Sequence, residues 1–116
     1  MSVPIDDNDL VDHIASHLCE EEADALGALS DDEIERRVRL GVARARANGF
    51  VEPEPATAFV TLMFLVSPCF DRQPAIAAAL SATAGTPAER LRALFGKTKE
   101  SDWDEAASAG TWEDLA

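Results

Sequence analysis

Two histidines come closest, by type and spacing, to a chemical site in this chain of 116 residues. His13 and His17 are four residues apart, and on a helix that spacing places both imidazoles on one face, where they could share a metal ion. Glu20 or Glu21, one turn further on, could supply a third ligand. However, no glutamate follows His13 directly, as in the HExxH arrangement, and the chain has no other histidine. We therefore expect no metal and no cofactor.

A second cluster is purely acidic and lies within Ser30–Glu35. Its carboxylates lack the glycine-containing loop spacing that Ca²⁺ coordination uses. Their position in the first turn of a predicted helix is explained by capping and by the helix dipole. The chain also has no GxSxG motif, no glycine-rich phosphate loop and no spacing typical of a Ser/His/Asp triad. The sequence thus predicts a protein that is not an enzyme and has no catalytic residues.

The charges are segregated along the chain. Residues 1–35 contain twelve acids and no Lys or Arg, residues 36–96 carry eight bases and four acids, and residues 97–116 carry two bases and six acids, which gives the net charge of −12. The electrostatic field of this negative charge repels phosphate backbones and attracts basic surfaces. We expect a protein partner with a basic surface and no nucleic-acid partner.

The sequence predicts no membrane partner and no export signal. The longest apolar runs are far shorter than the roughly 20 residues that span a bilayer, and the start of the chain lacks the basic residues and apolar stretch of a signal peptide. The expected location is the cytoplasm, where Cys19 and Cys69 would stay reduced. Both are predicted to be small buried apolar residues.

The element that organises the fold is a strongly apolar segment. Between residues 59 and 66 only Thr61 is polar, so other helices must wrap this segment on nearly all sides. Two prolines precede it and a Ser-Pro pair ends it, which predicts a central helix at about residues 55–66. Within it, Phe64→Ala is expected to cost on the order of 3–5 kcal/mol.

Cap and stop signals predict four further helices around the central one. Their expected bounds are Asp9 to Leu26, Ser30 to Asn48, Gln73 to Ala84 and Thr86 to Phe95. Asp71 is expected to cap the third of these, and Gly41 to allow the central helix to approach closely. No segment alternates with the period of two that a strand requires. We predict an all-α fold, a compact bundle of about five helices in one domain of residues 1–96.

Half of the positive charge lies on five arginines of the helix that begins at Ser30. Arg36, Arg39 and Arg46 are the candidate partner-binding residues among them, because Arg is favoured at protein interfaces. The alternative is a solvated face that neutralises the acidic first helix, with Glu35 and Arg39 as one favourable four-residue pair. The spacing is compatible with both interpretations.

Residues 97–116 form an acidic tail that contains both tryptophans, and we expect it to be partly ordered at most. One interpretation docks Trp103 on the bundle and lets the remainder fray. The other makes Trp112 and Leu115 an acidic-aromatic peptide for a partner's groove. Trp103, Trp112 and Leu115 are therefore candidate partner-binding residues.

Three stretches carry a resemblance to a known group of proteins, namely Leu40–Phe50, Phe59–Met63 and the corner Ser67–Pro74. They resemble small acidic helical bacterial proteins that are encoded beside type VI secretion effectors and spike components, with Ser67 in place of the group's glycine. The resemblance covers roughly residues 10–95 and contains no catalytic motif. It implies an accessory role, as an adaptor or a chaperone-like protein.

Two functions follow as hypotheses. The first is a non-enzymatic protein–protein interaction module, an adaptor or chaperone-like accessory protein for a type VI secretion effector or spike component. The second is an immunity or antitoxin protein whose acidic surface binds and blocks a basic toxin. An immunity protein abolishes its partner's activity, whereas an adaptor leaves it intact, so the partner's activity in the complex distinguishes the two.

Overall fold

The computed structural model describes residues 6–81 and 85–115, and their regular structure is entirely helical, as the sequence predicted. These ranges contain no strand and two 3₁₀ turns, Phe70–Arg72 and Trp112–Asp114. They contain seven α-helices: α1 (Asp7–Glu21), α2 (Ala23–Leu26), α3 (Asp31–Ala47), α4 (Pro53–Leu65), α5 (Pro74–Leu80), α6 (Pro87–Lys97) and α7 (Glu100–Ala106). No helix in this part of the chain is long and apolar enough to cross a bilayer. The predicted helix end at Ala84 lies outside the described residues, as does Ala116.

The predicted start signals of two helices are confirmed. Ser30 Oγ accepts a hydrogen bond from the backbone N–H of Glu33 at 3.2 Å, and Thr86 Oγ1 accepts one from the N–H of Glu89 at the same distance. Each hydroxyl supplies an acceptor for a first-turn N–H that has no partner inside the helix. The end of α3 is also as expected, because the glycine that follows its cap, Gly49, takes a positive φ of 87°.

The predicted bounds of the first helix were wrong at both ends. α1 begins earlier, because Asp6 rather than Asp9 is its N-cap and accepts a backbone hydrogen bond at 2.8 Å. It ends at Glu21 rather than near Leu26, and the short α2 follows. Three consecutive glutamates at this point face the negative end of the helix dipole, which disfavours continuation. Cys19, near the end of α1, is exposed rather than buried.

The prediction that Asp71 caps α5 was wrong. Gln73 caps it instead, because its Oε1 accepts the backbone N–H of Ile76 at 2.8 Å. The Asp71 carboxylate turns to α3, where it accepts hydrogen bonds from Arg44 Nε at 2.8 Å, from Arg44 Nη2 at 3.0 Å and from Asn48 Nδ2 at 3.1 Å. The side chain of Asp71 is only 4% exposed, so this ion pair joins the end of α3 to the 3₁₀ turn that follows α4.

The central helix is α4, which packs against α1, α2, α3 and α6. α3 crosses it at Gly41, where an added Cβ would lie 3.0 Å from a Val60 methyl, so the predicted close approach is confirmed. The core centres on Phe59, which is fully buried. Its ring centroid lies 5.4 Å from that of Phe50 and 5.1 Å from that of Phe70. Three rings from three parts of the chain therefore meet at the middle of the bundle.

Phe64, which the sequence placed in the core, lies at its edge. It is half-buried, and its ring packs against Trp112 with the centroids 4.8 Å apart. The inward face of α4 follows the helical period through Ala56, Phe59 and Met63, all of which are buried. Phe64 falls just outside that face, so its removal should cost less than the core value expected from the sequence.

The chain beyond residue 96 packs on the bundle. α7 buries Ala106, whose carbonyl accepts a hydrogen bond from Ser67 Oγ at 2.7 Å. Cys69, which is buried as predicted, lies beneath the turn that follows α7, where an added Cβ at Gly110 would be 2.7 Å from its sulfur. The packing therefore continues across the domain boundary predicted after residue 96.

Candidate functional site

The central helix is open to solvent along one side. Glu54, Ala58 and Leu65 of α4 are exposed, and Leu62 between them is half-buried. Spacings of three and four residues align these side chains in one stripe, about 16 Å long at the rise of a helix. The sequence predicted cover on nearly all sides of this helix. The open stripe is the main departure from that expectation.

Two other helices flank the stripe and make it a groove. His13 and His17 of α1 form one wall, and Leu91 and Phe95 of α6 form the other. The cavity between the walls has a volume of about 570 Å³, in the range of sites that hold a ligand or a few side chains of a partner. A second cavity of about 240 Å³ shares the α6 wall and reaches Arg92. The groove therefore runs along α4 for most of its length.

Two threonines in the groove need no polar partner from outside. Thr57 Oγ1 donates a hydrogen bond to the carbonyl of Pro53 at 2.5 Å, and Thr61 Oγ1 donates one to the carbonyl of Thr57 at 2.7 Å. Bonds of this kind satisfy a hydroxyl within its own helix. An apolar occupant can cover both side chains without leaving a hydroxyl unpaired. The floor of the groove is apolar in effect.

Phe95 is 58% exposed, yet its ring is held in place. It stacks on Trp103 with the centroids 5.4 Å apart and the planes at 17°. Trp103 in turn stacks on the buried Phe70 at 5.9 Å and donates from Nε1 to Thr98 Oγ1 at 2.9 Å. Trp103, a predicted partner contact, thus packs behind Phe95 and supports the α6 wall of the groove.

The rim of the groove on the α1 side is acidic. Asp9 precedes His13 by four residues and therefore lies along the histidine side of α1. Glu54 adds a carboxylate at the end of the groove where α4 begins. Neither α1 nor α2 contains a Lys or Arg. The electrostatic potential at this rim therefore favours a cationic group.

The two histidines lie on the groove wall without the ligands of a complete metal site. Within residues 6–81 and 85–115, no group of three or more His, Cys, Asp or Glu side chains is arranged to hold a metal ion. An imidazole presents an apolar ring body as well as a polar edge. In this position both rings serve as lining of a mainly apolar surface.

The three arginines selected from the sequence each have an acidic partner within the chain. The partners are Glu33 and Glu113 for Arg36, Glu35 for Arg39 and Asp7 for Arg46. The pairs of Arg39 and Arg46 are exposed, and such pairs contribute little to stability. The contact of Arg46 with Asp7 nevertheless joins the end of α3 to the start of α1.

Glu33 is bound by two guanidinium groups, those of Arg36 and Arg37. Their hydrogen bonds lower the pKa of Glu33 from 4.5 to about 2, and the same pairing raises the pKa of Arg36. Because the pKa is lowered, this contribution to stability is present above about pH 4.5 and is lost as the pH falls towards 2. In an NMR titration we expect the Glu33 carboxyl carbon to have a midpoint of about 2. The double variant Arg36→Ala/Arg37→Ala should move the midpoint towards 4.5, and an unshifted midpoint in that variant would contradict the pairing.

Trp112 and Leu115, the remaining candidates, lie against the bundle. Trp112 is 8% exposed, packs on Phe64 and has the Arg37 guanidinium over its ring at 5.5 Å. Leu115 is half-buried. Trp112, which was predicted to bind in a partner's groove, therefore packs on a surface of its own chain.

The groove on α4 was not predicted from the sequence. A signal was present, because Glu54 and Thr61 are seven residues apart and mark one face of an otherwise apolar helix. Phe95 was predicted only as the end of the helix that begins at Thr86. The chain matches no model of a protein family, no curated protein and no solved structure.

Proposed function

We propose that this chain is a non-enzymatic protein-binding module whose groove on α4 takes an apolar helical segment of another protein. One observation carries the proposal: a helix that is apolar around nearly its whole circumference leaves Ala58, Leu62 and Leu65 without full cover. Exposed apolar stripes with polar rims are typical of protein interaction sites. A partner helix laid along the stripe would bury it through anchors spaced three and four residues apart.

The charge of the chain selects among the occupants that such a groove could take. A second copy carries the same net charge of −12 and would set one acidic rim against another, which is repulsive. A nucleic acid would be repelled in the same way. A helix with Lys or Arg on the side of its apolar stripe that faces α1 would instead meet Asp9 and Glu54. We therefore assign the groove to a basic amphipathic helix.

As a cellular role we propose an adaptor or chaperone-like accessory protein that covers such a helix in a type VI secretion effector or spike component. The support is the resemblance over roughly residues 10–95, together with a groove that would shelter an exposed apolar segment. The alternative, an immunity protein that blocks a basic toxin, is favoured by the acidic rim. The activity of the partner in the complex separates the two, because an adaptor preserves it and an immunity protein abolishes it.

A synthetic peptide tests the groove. The probe is a fluorescent peptide of about 16 residues, long enough to cover the stripe as a helix, with a Leu/Ala stripe and flanking lysines. Fluorescence anisotropy should show that it binds the full chain. Ala58→Arg places a guanidinium in the stripe and should weaken binding by at least about tenfold. Ala43→Arg makes the same exchange at an exposed position of α3 and should bind like the wild type.

The matched pair of variants separates the groove from general electrostatic attraction. Both variants change the net charge equally, so equal affinities would place the peptide outside the groove. Equal binding of a peptide with the same composition in scrambled order would show that charge alone holds it. Either result would overturn the proposal, provided that circular dichroism shows unchanged helix content.

A further inference from the structure

The last described residues of the chain occupy a second surface, formed by α3 and α4. The Trp112 ring packs against Phe64 with the centroids 4.8 Å apart, and the Arg37 guanidinium lies 5.5 Å from the centre of the same ring. The carboxylate of Glu113 accepts a hydrogen bond from Arg36 Nη2 at 3.2 Å. We call Arg36, Arg37 and Phe64 the arginine–phenylalanine surface. It combines an apolar ring with two guanidinium groups, and it holds a tryptophan followed by an acid.

Residues 107–115 are attached to the bundle through side chains and through the close packing of Gly110 on Cys69, without a backbone hydrogen bond to α3 or α4. Within the described chain, the backbone hydrogen bonds that they make stay between residues 103 and 115. The preceding link to the bundle is the bond from Ser67 Oγ to the carbonyl of Ala106. A cavity of about 370 Å³ remains between the segment and the surface. Because no backbone bond to α3 or α4 has to break, the segment can leave without unfolding either helix.

The contact is dominated by one side chain. The Glu113 side chain is 77% exposed, and an ion pair in that setting contributes little. Trp112, at 8% exposure, is the one buried residue among residues 107–115, and the Arg37 guanidinium adds a cation–π contact to it. A single aromatic anchor with charged neighbours is the arrangement of a short peptide in its site.

We propose that the arginine–phenylalanine surface is a binding site for an acidic-aromatic peptide, a tryptophan followed by carboxylates, and that residues 107–115 are its detachable occupant. A partner protein that carries such a segment replaces the chain's own. Arg36 and the acidic-aromatic tail, which the sequence suggested separately as partner-binding elements, then belong to one contact. This site is distinct from the groove on α4 and does not depend on it.

A peptide added in trans tests this site. The probe is a fluorescein-labelled peptide with the sequence of residues 107–115, and the protein is the full chain with Trp112→Ala, which empties the site. In the wild type the tethered segment competes at an effective concentration on the order of millimolar. The probe should therefore bind the variant at least about 30-fold more tightly than the wild type. Adding Phe64→Ala, which removes the ring that Trp112 packs on, should remove most of this binding, whereas adding Phe95→Ala, at an exposed ring of α6, should not.

Three outcomes would overturn the proposal. One is equal affinity of the probe for the wild type and for Trp112→Ala. Another is no binding to a Trp112→Ala variant that keeps its helix content. If that variant does not fold, hydrogen exchange of the wild type decides, since the amides of residues 107–115 should exchange faster than those of α4. Exchange as slow as that of α4 would show that the segment does not detach.

Discussion

Phe59→Ala should lower the free energy of unfolding by about 3–5 kcal/mol, the largest effect expected in this chain. Phe59 is fully buried, and its ring lies between those of Phe50 and Phe70 at 5.4 Å and 5.1 Å. Removing the ring deletes both aromatic contacts and leaves a cavity. α3 and α4 cannot move together to close it, because they already meet at Gly41.

Two other phenylalanines provide graded controls for this prediction. Phe95→Ala, at a side chain that is 58% exposed, should cost less than about 1 kcal/mol. Phe64→Ala should fall between the two, because Phe64 is half-buried against Trp112. Urea unfolding followed by far-UV circular dichroism measures all three. If Phe59→Ala cost no more than Phe95→Ala, the core would not be centred on Phe59.

Short-range signals made much of the fold predictable. The caps at Ser30 and Thr86 act within one helical turn, and the close approach at Gly41 depends on residue size, so all three could be read from the sequence. The cap of α5 could not, because two residues compete for it. Asp71 is drawn away by Arg44, which lies 27 residues earlier in the chain, and Gln73 takes the cap. A local sequence pattern cannot reveal that competition, because it depends on a contact between residues that are distant in the chain.

The candidate site was hidden for a different reason. An apolar helix predicts burial, but it does not specify whether the cover comes from the same chain or from another protein. The spacing of His13 and His17 suggested metal chemistry, while Phe95 was predicted only as the end of a separate helix. They become the two walls of one groove only because α1 and α6 pack on opposite sides of the exposed stripe of α4. That arrangement is a property of the packing.

Asp71→Ala has the second largest expected effect, a loss of about 3 kcal/mol. The Asp71 side chain is 4% exposed and accepts two hydrogen bonds from Arg44 and one from Asn48. Removing the carboxylate leaves the guanidinium of Arg44 partly buried without its partner, and the cost of such a charge exceeds the net contribution of the intact pair. The same change frees the 3₁₀ turn that carries Phe70 from the end of α3.

Two comparisons separate the charge of Asp71 from its packing. Asp71→Asn keeps the size and one acceptor oxygen, so it should cost less than Asp71→Ala in urea unfolding. The double variant Arg44→Ala/Asp71→Ala should cost less than the two single variants together, with a coupling on the order of 1–3 kcal/mol. Strictly additive costs would show that the pair does not act as a unit.

Because Phe70 supports Trp103, which stacks on Phe95, Asp71→Ala should also weaken binding of the lysine-flanked peptide in the groove. A stability loss with unchanged peptide affinity would show that the groove wall does not depend on this ion pair.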